Sequence, residues 1–297
     1  MAVASDQQPV DLRDPAGWRR AKNRLATGGM WFAFLCLLVP LGFVLVTVIA
    51  KGAGIISWQF LTSSTIPPSV LPASFDGMGA AVVGTLEITG VAAVIAIPLG
   101  ILGAVYLNEY GGNRPLARLL SFLSDVMTGV PSIVMGLFIF TIYVLHFGYS
   151  GFAGSLSLAC LMLPIVIRSS YEMLRLVPDD LRQGSYALGA TKARVTVTVV
   201  LPTAIGGIVS GALLAVARAA GETAPLLFTI LTVEATNPNL FSGADTALST
   251  QIFVNATQPY TGAVARAWGS ALTLIAIAFI LMIVARLVTA RFNRYSR

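Results

Sequence analysis

Long apolar runs, separated by short polar stretches, dominate this chain. Six reach the length a helix needs to cross a bilayer, about 20 residues. They lie at 30–50, 80–106, 119–146, 152–174, 202–231 and 268–290. An open sheet cannot satisfy its backbone polar groups in hydrocarbon, so each run is expected to be a helix. The pattern predicts an all-α, polytopic membrane protein with six transmembrane helices. The first span stands apart. A polar tail (1–29) precedes it, and the loop 51–79, rich in Ser, Thr and Pro over Thr62 to Pro72, follows it. The other five spans are joined more tightly and are expected to form one core over 80–290.

Composition agrees with this reading. Of 297 residues, 56% are hydrophobic and 11% charged, whereas a soluble domain carries about 25% charged residues. The net charge of +6 does not point to nucleic acid, because the cations flank apolar runs. Their distribution sets an orientation. Arg13, Arg19, Arg20, Lys22 and Arg24 precede the first span, and Arg114 and Arg118 follow the second. Arg168, Arg175, Arg182, Lys192 and Arg194 surround the loop after the fourth, and Arg286, Arg291, Arg294 and Arg297 close the chain. All of these fall on one side, against Lys51 and Arg266 on the other. Both termini are therefore expected in the cytoplasm. The outward loops, 51–79 and 232–267, are open to a docking role or to simple connection. The first apolar run is too long for a cleavable leader and is expected to stay as a span. Cys36 and Cys160 sit within apolar segments and suggest neither disulfide nor metal. His146 ends an apolar run and is expected at an interface.

Charges inside the spans change the picture. The segment Ala217-Arg-Ala-Ala-Gly-Glu-Thr-Ala-Pro225 puts Arg218 and Glu222 in an apolar run. A charge near mid-bilayer costs about 2.5–3.5 kcal/mol on insertion scales, which makes such residues candidates for a site. Arg218 lies about 24 Å of helix from Pro202. Arg168 and Glu172 repeat the four-residue spacing in the preceding span, and residues so spaced share a helix face. Arginine suits an oxyanion because its planar fork donates two parallel hydrogen bonds and stays charged. Thr223 offers a hydroxyl. Gly221 and Pro225 predict a kink or break beside the charge, since proline removes a backbone donor. A structural ion pair between helices is the competing reading. Glu87 and Asp125 are expected to be helix-pairing or interfacial groups.

The loop after the fourth span is not a plain linker. Pro178 suits a first helical position, and Asp179 and Asp180 suit the positive end of a helix. Leu181, Ala187 and Leu188 give a short apolar face over about 178–190. Gly189 fits the left-handed position after a helix, and Thr191 can cap the next one. Gln183-Gly184-Ser185, then Gly189, then Val199-Val200-Leu201-Pro202 follow the register of the loop of ABC importer permeases: Glu-Ala-Ala, three residues, Gly, nine residues, Ile, one residue, Leu-Pro. Gln183 and Gly184 depart from Glu and Ala. Residues 217–228, together with 129–138 and 163–168, resemble the PstA-type permease subunit of phosphate ABC importers.

That resemblance implies a type I ABC importer permease fold and transport of inorganic phosphate. It implies a coupling helix at Leu181 to Gly189 that docks on an ATPase. It also implies a substrate path past Arg168, Arg218 and Glu222. The implied partners are a homologous PstC-type permease, a PstB-type ATPase dimer, an extracytoplasmic PstS-type binding protein and membrane lipid. No cofactor is expected in this chain, since ATP and Mg would be held by the ATPase. The sequence contains no Gly-rich loop ending in Gly-Lys-Ser/Thr and no nucleophile motif. Other oxyanions (sulfate, phosphonate), a stand-alone secondary phosphate transporter and an enzyme acting on lipid phosphates are the alternatives.

Overall fold

A computed structural model describes residues 18–64, 77–233 and 237–295. Most of the Ser/Thr/Pro-rich stretch and the far N-terminal tail, with Arg13, lie outside the described residues. The chain divides into two compact units, Met1–Ala50 and Lys51–Arg297.

The first unit is built on α1 (Trp18–Gly52). The helix is already formed at Trp18, the first described residue, within the expected polar tail and well before Met30. Hydropathy marks where lipid begins, but Arg, Ala, Lys and Leu over 19–26 are good helix formers and let the helix start earlier.

The second unit holds α2 (Trp58–Thr62), α3 (Gly79–Val105), α4 (Pro115–Gly129), α5 (Ser132–Ile139), α6 (Leu145–Phe147) and α7 (Gly151–Arg175). It continues with α8 (Asp179–Ala187), α9 (Lys192–Val195), α10 (Leu201–Ala220), α11 (Ala224–Leu227), α12 (Leu248–Ala256) and α13 (Thr261–Tyr295). Wide π-type turns at Tyr106–Gly111, Phe140–Val144 and Thr196–Val200 extend α3, join α5 to α6 and join α9 to α10. Among the described residues, five helical stretches are long and apolar enough to cross a membrane, and a bent pair makes a sixth if counted as one span.

That pair corrects the expected third span. The run 119–146 is not one helix: Pro115–Gly129 and Ser132–Phe147 meet at 109°. Gly129-Val130-Pro131 is the break, with Val130 and Pro131 in extended backbone. Residues preceding proline are driven out of the helical region, and the glycine before them weakens the helix end. The fifth run, 202–231, also ends early, at Ala220. The loop expected to face outward, 232–267, is more than a connector, since it contains α12 with Leu248, Ser249, Thr250, Gln251 and Asn255 buried.

The second unit is organised by α7, on which α3 packs along much of its length and against which α10 also packs. The contact face of α3 carries Ile88, Ala92, Ala96, Gly100 and Ala104, four residues apart and all buried. Lipid gives helices no hydrophobic reason to associate, so close van der Waals approach over small residues does that work. The opposite face presents Val94, Leu99 and Leu102 outward. The core continues through Leu158, Met162 and Val166 of α7 to Ala215 and Ala219 of α10. A second cluster joins Ala104, Leu174, Val177, Val195, Val200 and Ile208, which seats α9 and the start of α10 at the far end of α7.

Candidate functional site

Two helix breaks meet at one place. α10 stops at Ala220, and Gly221-Glu222-Thr223 lead into α11, where Pro225 is the second residue. Pro225 abuts α5 just beyond the 109° bend: a Cβ on Gly136 would lie 2.6 Å from Pro225 Cα. Between the breaks and α7 lies a cavity of about 330 Å³. Arg218, Glu222, Thr128, Pro131, Ser132 and Met162 are among its lining residues.

Arg218 Nε stands 3.8 Å from Glu222 Oε1, and their side chains are 71% and 26% accessible. A single long contact with that much exposure is a weak pair, of order 0–1 kcal/mol. Most of the guanidinium fork is left to the cavity. Glu222 is held by its backbone, because its carbonyl accepts from Ser249 Oγ of α12 at 3.0 Å. The helix therefore ends with an acid fixed beside an accessible cation, in a space large enough for a small oxyanion.

Arg168 occupies a neighbouring cavity of about 100 Å³, lined also by Ser121, Ser124, Asp125 and Tyr171. Both cavities follow the α4–α7 pair, one after the other. Arg168 lies 3.5 Å from Glu172 and 3.7 Å from Asp125, with 62% of its side chain accessible. Asp125 thus stands beside a predicted site residue. The expectation that Asp125 pairs helices fits this contact, while its partner, on another helix, could not be read from spacing.

Of the other predicted residues, Thr223 is half-buried and caps α11 by its backbone; it is not among the cavity-lining residues. Gly221 has φ −91°, and a Cβ there would meet the Arg218 carbonyl oxygen at 3.6 Å, an ordinary contact. Pro202 is the second residue of α10. His146 is exposed next to Phe147. Among the described residues, no group of three or more His, Cys, Asp or Glu side chains is arranged to hold a metal.

The far end of α7 carries the short helix expected from the loop. Pro178 precedes α8 as its cap, one position earlier than anticipated, with Asp179 and Asp180 in the first turn. Gly189 turns the chain at φ +80°, a conformation costly for a side-chain-bearing residue. Thr191 Oγ1 accepts from Arg194 N to start α9. Every residue of α8 is exposed or half-buried, including Gln183, Gly184, Ser185 and Ala187. Leu181 and Tyr186 are exposed, and Leu188 is 90% accessible.

Arg182 turns the other way. Its side chain is 12% accessible and its partner Glu109 5%. Nη1 donates to Val177 O at 2.6 Å and Asp179 Oδ1 at 3.0 Å, and Nη2 to Leu174 O at 3.0 Å and Glu109 Oε1 at 3.1 Å. A pair separated by 73 positions leaves no periodic signal, so the sequence offered no way to find it.

At the opposite end, Asp245 is buried at the start of α7. Its Oδ1 accepts from Thr246 N at 2.7 Å, while Oδ2 has no hydrogen-bond partner. Burial pushes its carboxyl above the ordinary range and the charge of Glu87 adds to this, against the lowering effect of the Thr246 N–H.

A polytopic helical bundle with broken helices around charged cavities and a short exposed helix at one end is the architecture of an ABC importer's membrane subunit. One chain of a bacterial alginate ABC transporter, solved with an alginate pentasaccharide-bound periplasmic protein, shares this fold. The TM-score is 0.65 over 92% of this chain and 97% of that one, at 14% identity. Phosphate transport system permease protein PstA 1 of Mycobacterium tuberculosis is 44% identical over 283 residues, 93% of this chain and 90% of the relative. PstA of Yersinia pestis is 39% identical over 285 residues, 94% of each. The family described as binding-protein-dependent transport system inner membrane component matches residues 96–294, and the chain belongs to it, within the PstA-type permeases.

Proposed function

We propose that this chain is the membrane-spanning subunit through which an ATP-driven importer moves inorganic phosphate into the cell. The observation that carries the reading is Arg218, a largely accessible guanidinium in a cavity at the junction of two helix breaks. The phosphate permeases among its relatives supply the choice of anion. Its fork matches an oxyanion's geometry. Glu222 beside it accepts a proton-bearing oxygen, which phosphate retains at neutral pH and sulfate lacks. Arg168, with Asp125 and Glu172, is the next station along α4 and α7. The chain itself carries no chemistry.

Both termini and α8 face the cytoplasm, in keeping with the cation asymmetry. Two PstB-type ATPase subunits dock on the α8 surface of this chain, led by Leu181 and Leu188, and on the equivalent loop of a homologous PstC-type permease. A PstS-type phosphate-binding protein delivers the anion to the outward loops around α12. ATP binding closes the ATPases and opens the path outward, and hydrolysis resets it.

The test is labelled-phosphate uptake into proteoliposomes containing the four kinds of subunit, with ATP inside and binding protein outside. Wild type is expected to require ATP and to ignore excess sulfate. Arg218→Gln is expected to lose uptake by about a hundredfold while still holding the ATPase, as removal of a charged anion ligand costs about 1.5–3 kcal/mol or more. Full uptake by the variant would return Arg218 to the role of a structural ion pair.

A further inference from the structure

The surface of α8 faces outward, yet whatever pushes on it must move helices that lie behind it. Arg182 is the side chain that reaches back. Its four hydrogen bonds end on three separate elements. Asp179 belongs to α8 itself. The Leu174 carbonyl, which also accepts from Val177 N at 3.3 Å, belongs to the last turn of α7, and the Val177 carbonyl lies just past it; both stand at the negative end of the helix dipole. Glu109 belongs to the wide turn that ends α3, and it is fixed by a second bond, from Asn108 Nδ2 at 2.7 Å. The guanidinium is rigid and planar, so the three elements are pinned in one geometry. A lesser tie lies alongside, where Lys192, at the start of α9, sits 5.2 Å over the ring of Tyr110.

The elements joined in this way also build the path. α7 lines both cavities, with Met162 in one and Arg168 in the other, and α3 is its main packing partner. π-type turns such as the one holding Glu109 occur disproportionately at functional sites. A link through apolar contact alone would slide; a buried, multiply bonded ion pair transmits displacement along defined directions.

We infer that Arg182 and Glu109 form the joint that converts movement of α8 into joint movement of α3 and α7. They are positioning residues, which touch neither phosphate nor the ATPase. This rests on the reading of α8 as the ATPase dock.

The test uses the same reconstituted complex and reads phosphate transported per ATP hydrolysed, together with ATPase retention on purification. Glu109→Ala removes the acceptor from α3, whereas Glu109→Gln keeps an acceptor oxygen for Arg182. Glu109→Ala is expected to retain the ATPase and hydrolyse ATP, but to move about tenfold less phosphate per ATP, the size of one charge-assisted hydrogen bond. Glu109→Gln is expected to stay within about twofold of wild type. An unchanged ratio in Glu109→Ala overturns the joint. So does loss of ATPase binding or of assembly in that variant, which would make the pair a support for folding or docking. Leu188→Glu, on the outer surface of α8, separates the two readings. If it leaves the ATPase bound and coupled, the docking assignment fails whatever Glu109 does.

Discussion

Arg218 and Arg182 are the same residue type in opposite service. One meets a single acid at 3.8 Å and keeps most of its fork accessible; the other spends four donor contacts and is nearly buried. Removing a partner from a buried pair costs about 3–5 kcal/mol, whereas an exposed pair contributes about 0–1 kcal/mol. Stability therefore gives no account of Arg218, whose single exposed contact contributes little, while Arg182 cannot lose a partner without leaving a nearly buried charge uncompensated. Asp245 makes a residue-scale prediction of another kind. Its folded-state carboxyl is raised above the ordinary value, mainly by burial. Below that ordinary value, about 3.9, both states are protonated and the stability is fully present. As pH rises through the window between the ordinary and the raised value, the folded protein loses it, and above the window the penalty is constant. Asp245→Asn keeps an oxygen for the Thr246 N–H and removes the charge. It is expected to melt higher than wild type at about pH 7.5, with the gain fading toward about pH 4, as thermal unfolding of the purified protein would read. The charged positions Arg168, Arg218 and Glu222 were legible in the sequence, because a charge in an apolar run is conspicuous. Asp125 and Glu109 became meaningful only when folding brought distant helices together.

At the level of elements, the apolar runs correctly announced helices but not their directions. Hydropathy is blind to a change of course inside lipid. Pro40, Pro98 and Pro164 all remain within continuous helices, so proline alone does not signal a break in a membrane. The two prolines beside the site, Pro131 and Pro225, differ in following a glycine closely, Gly129 and Gly221. There the weakened helix end and the missing donor act together. The α8 segment was more legible because local chemistry writes it: acids in the first turn, glycine at the left-handed turn and threonine at the next cap. Helix α12 was missed, since a nine-residue helix with buried polar side chains looks like a loop by composition. One element-scale consequence concerns the α5–α11 contact. The Cβ of Gly136→Ala would meet Pro225 backbone atoms at 2.6, 2.9 and 3.2 Å, which no flexible side chain can relieve. Overpacking of this kind costs about 1–3 kcal/mol. The variant is expected to melt lower and to transport less phosphate, with ATPase binding unchanged on purification.

For the molecule as a whole, the fold class, the membrane setting and the family were readable from the sequence, and the joining of its two ends was not. The α12 end reaches the site through Ser249 on the Glu222 carbonyl and is tied to α3 by Thr85 Oγ1, which accepts from Leu248 N at 2.8 Å. The α8 end reaches it through Arg182. The accessible guanidinium of Arg218 also bears on the life of the chain before it has partners. On the proposed pairing with a second permease, a newly inserted subunit alone would hold that charge within the membrane without its partner's cover, where a charge costs about 2.5–3.5 kcal/mol. The residue that suits the finished transporter thus marks the unfinished one for membrane quality control. In pulse–chase labelling, the chain expressed alone is expected to turn over faster than when co-expressed with its partner permease. Arg218→Leu is expected to shrink that difference, living longer as an orphan while transporting nothing once assembled.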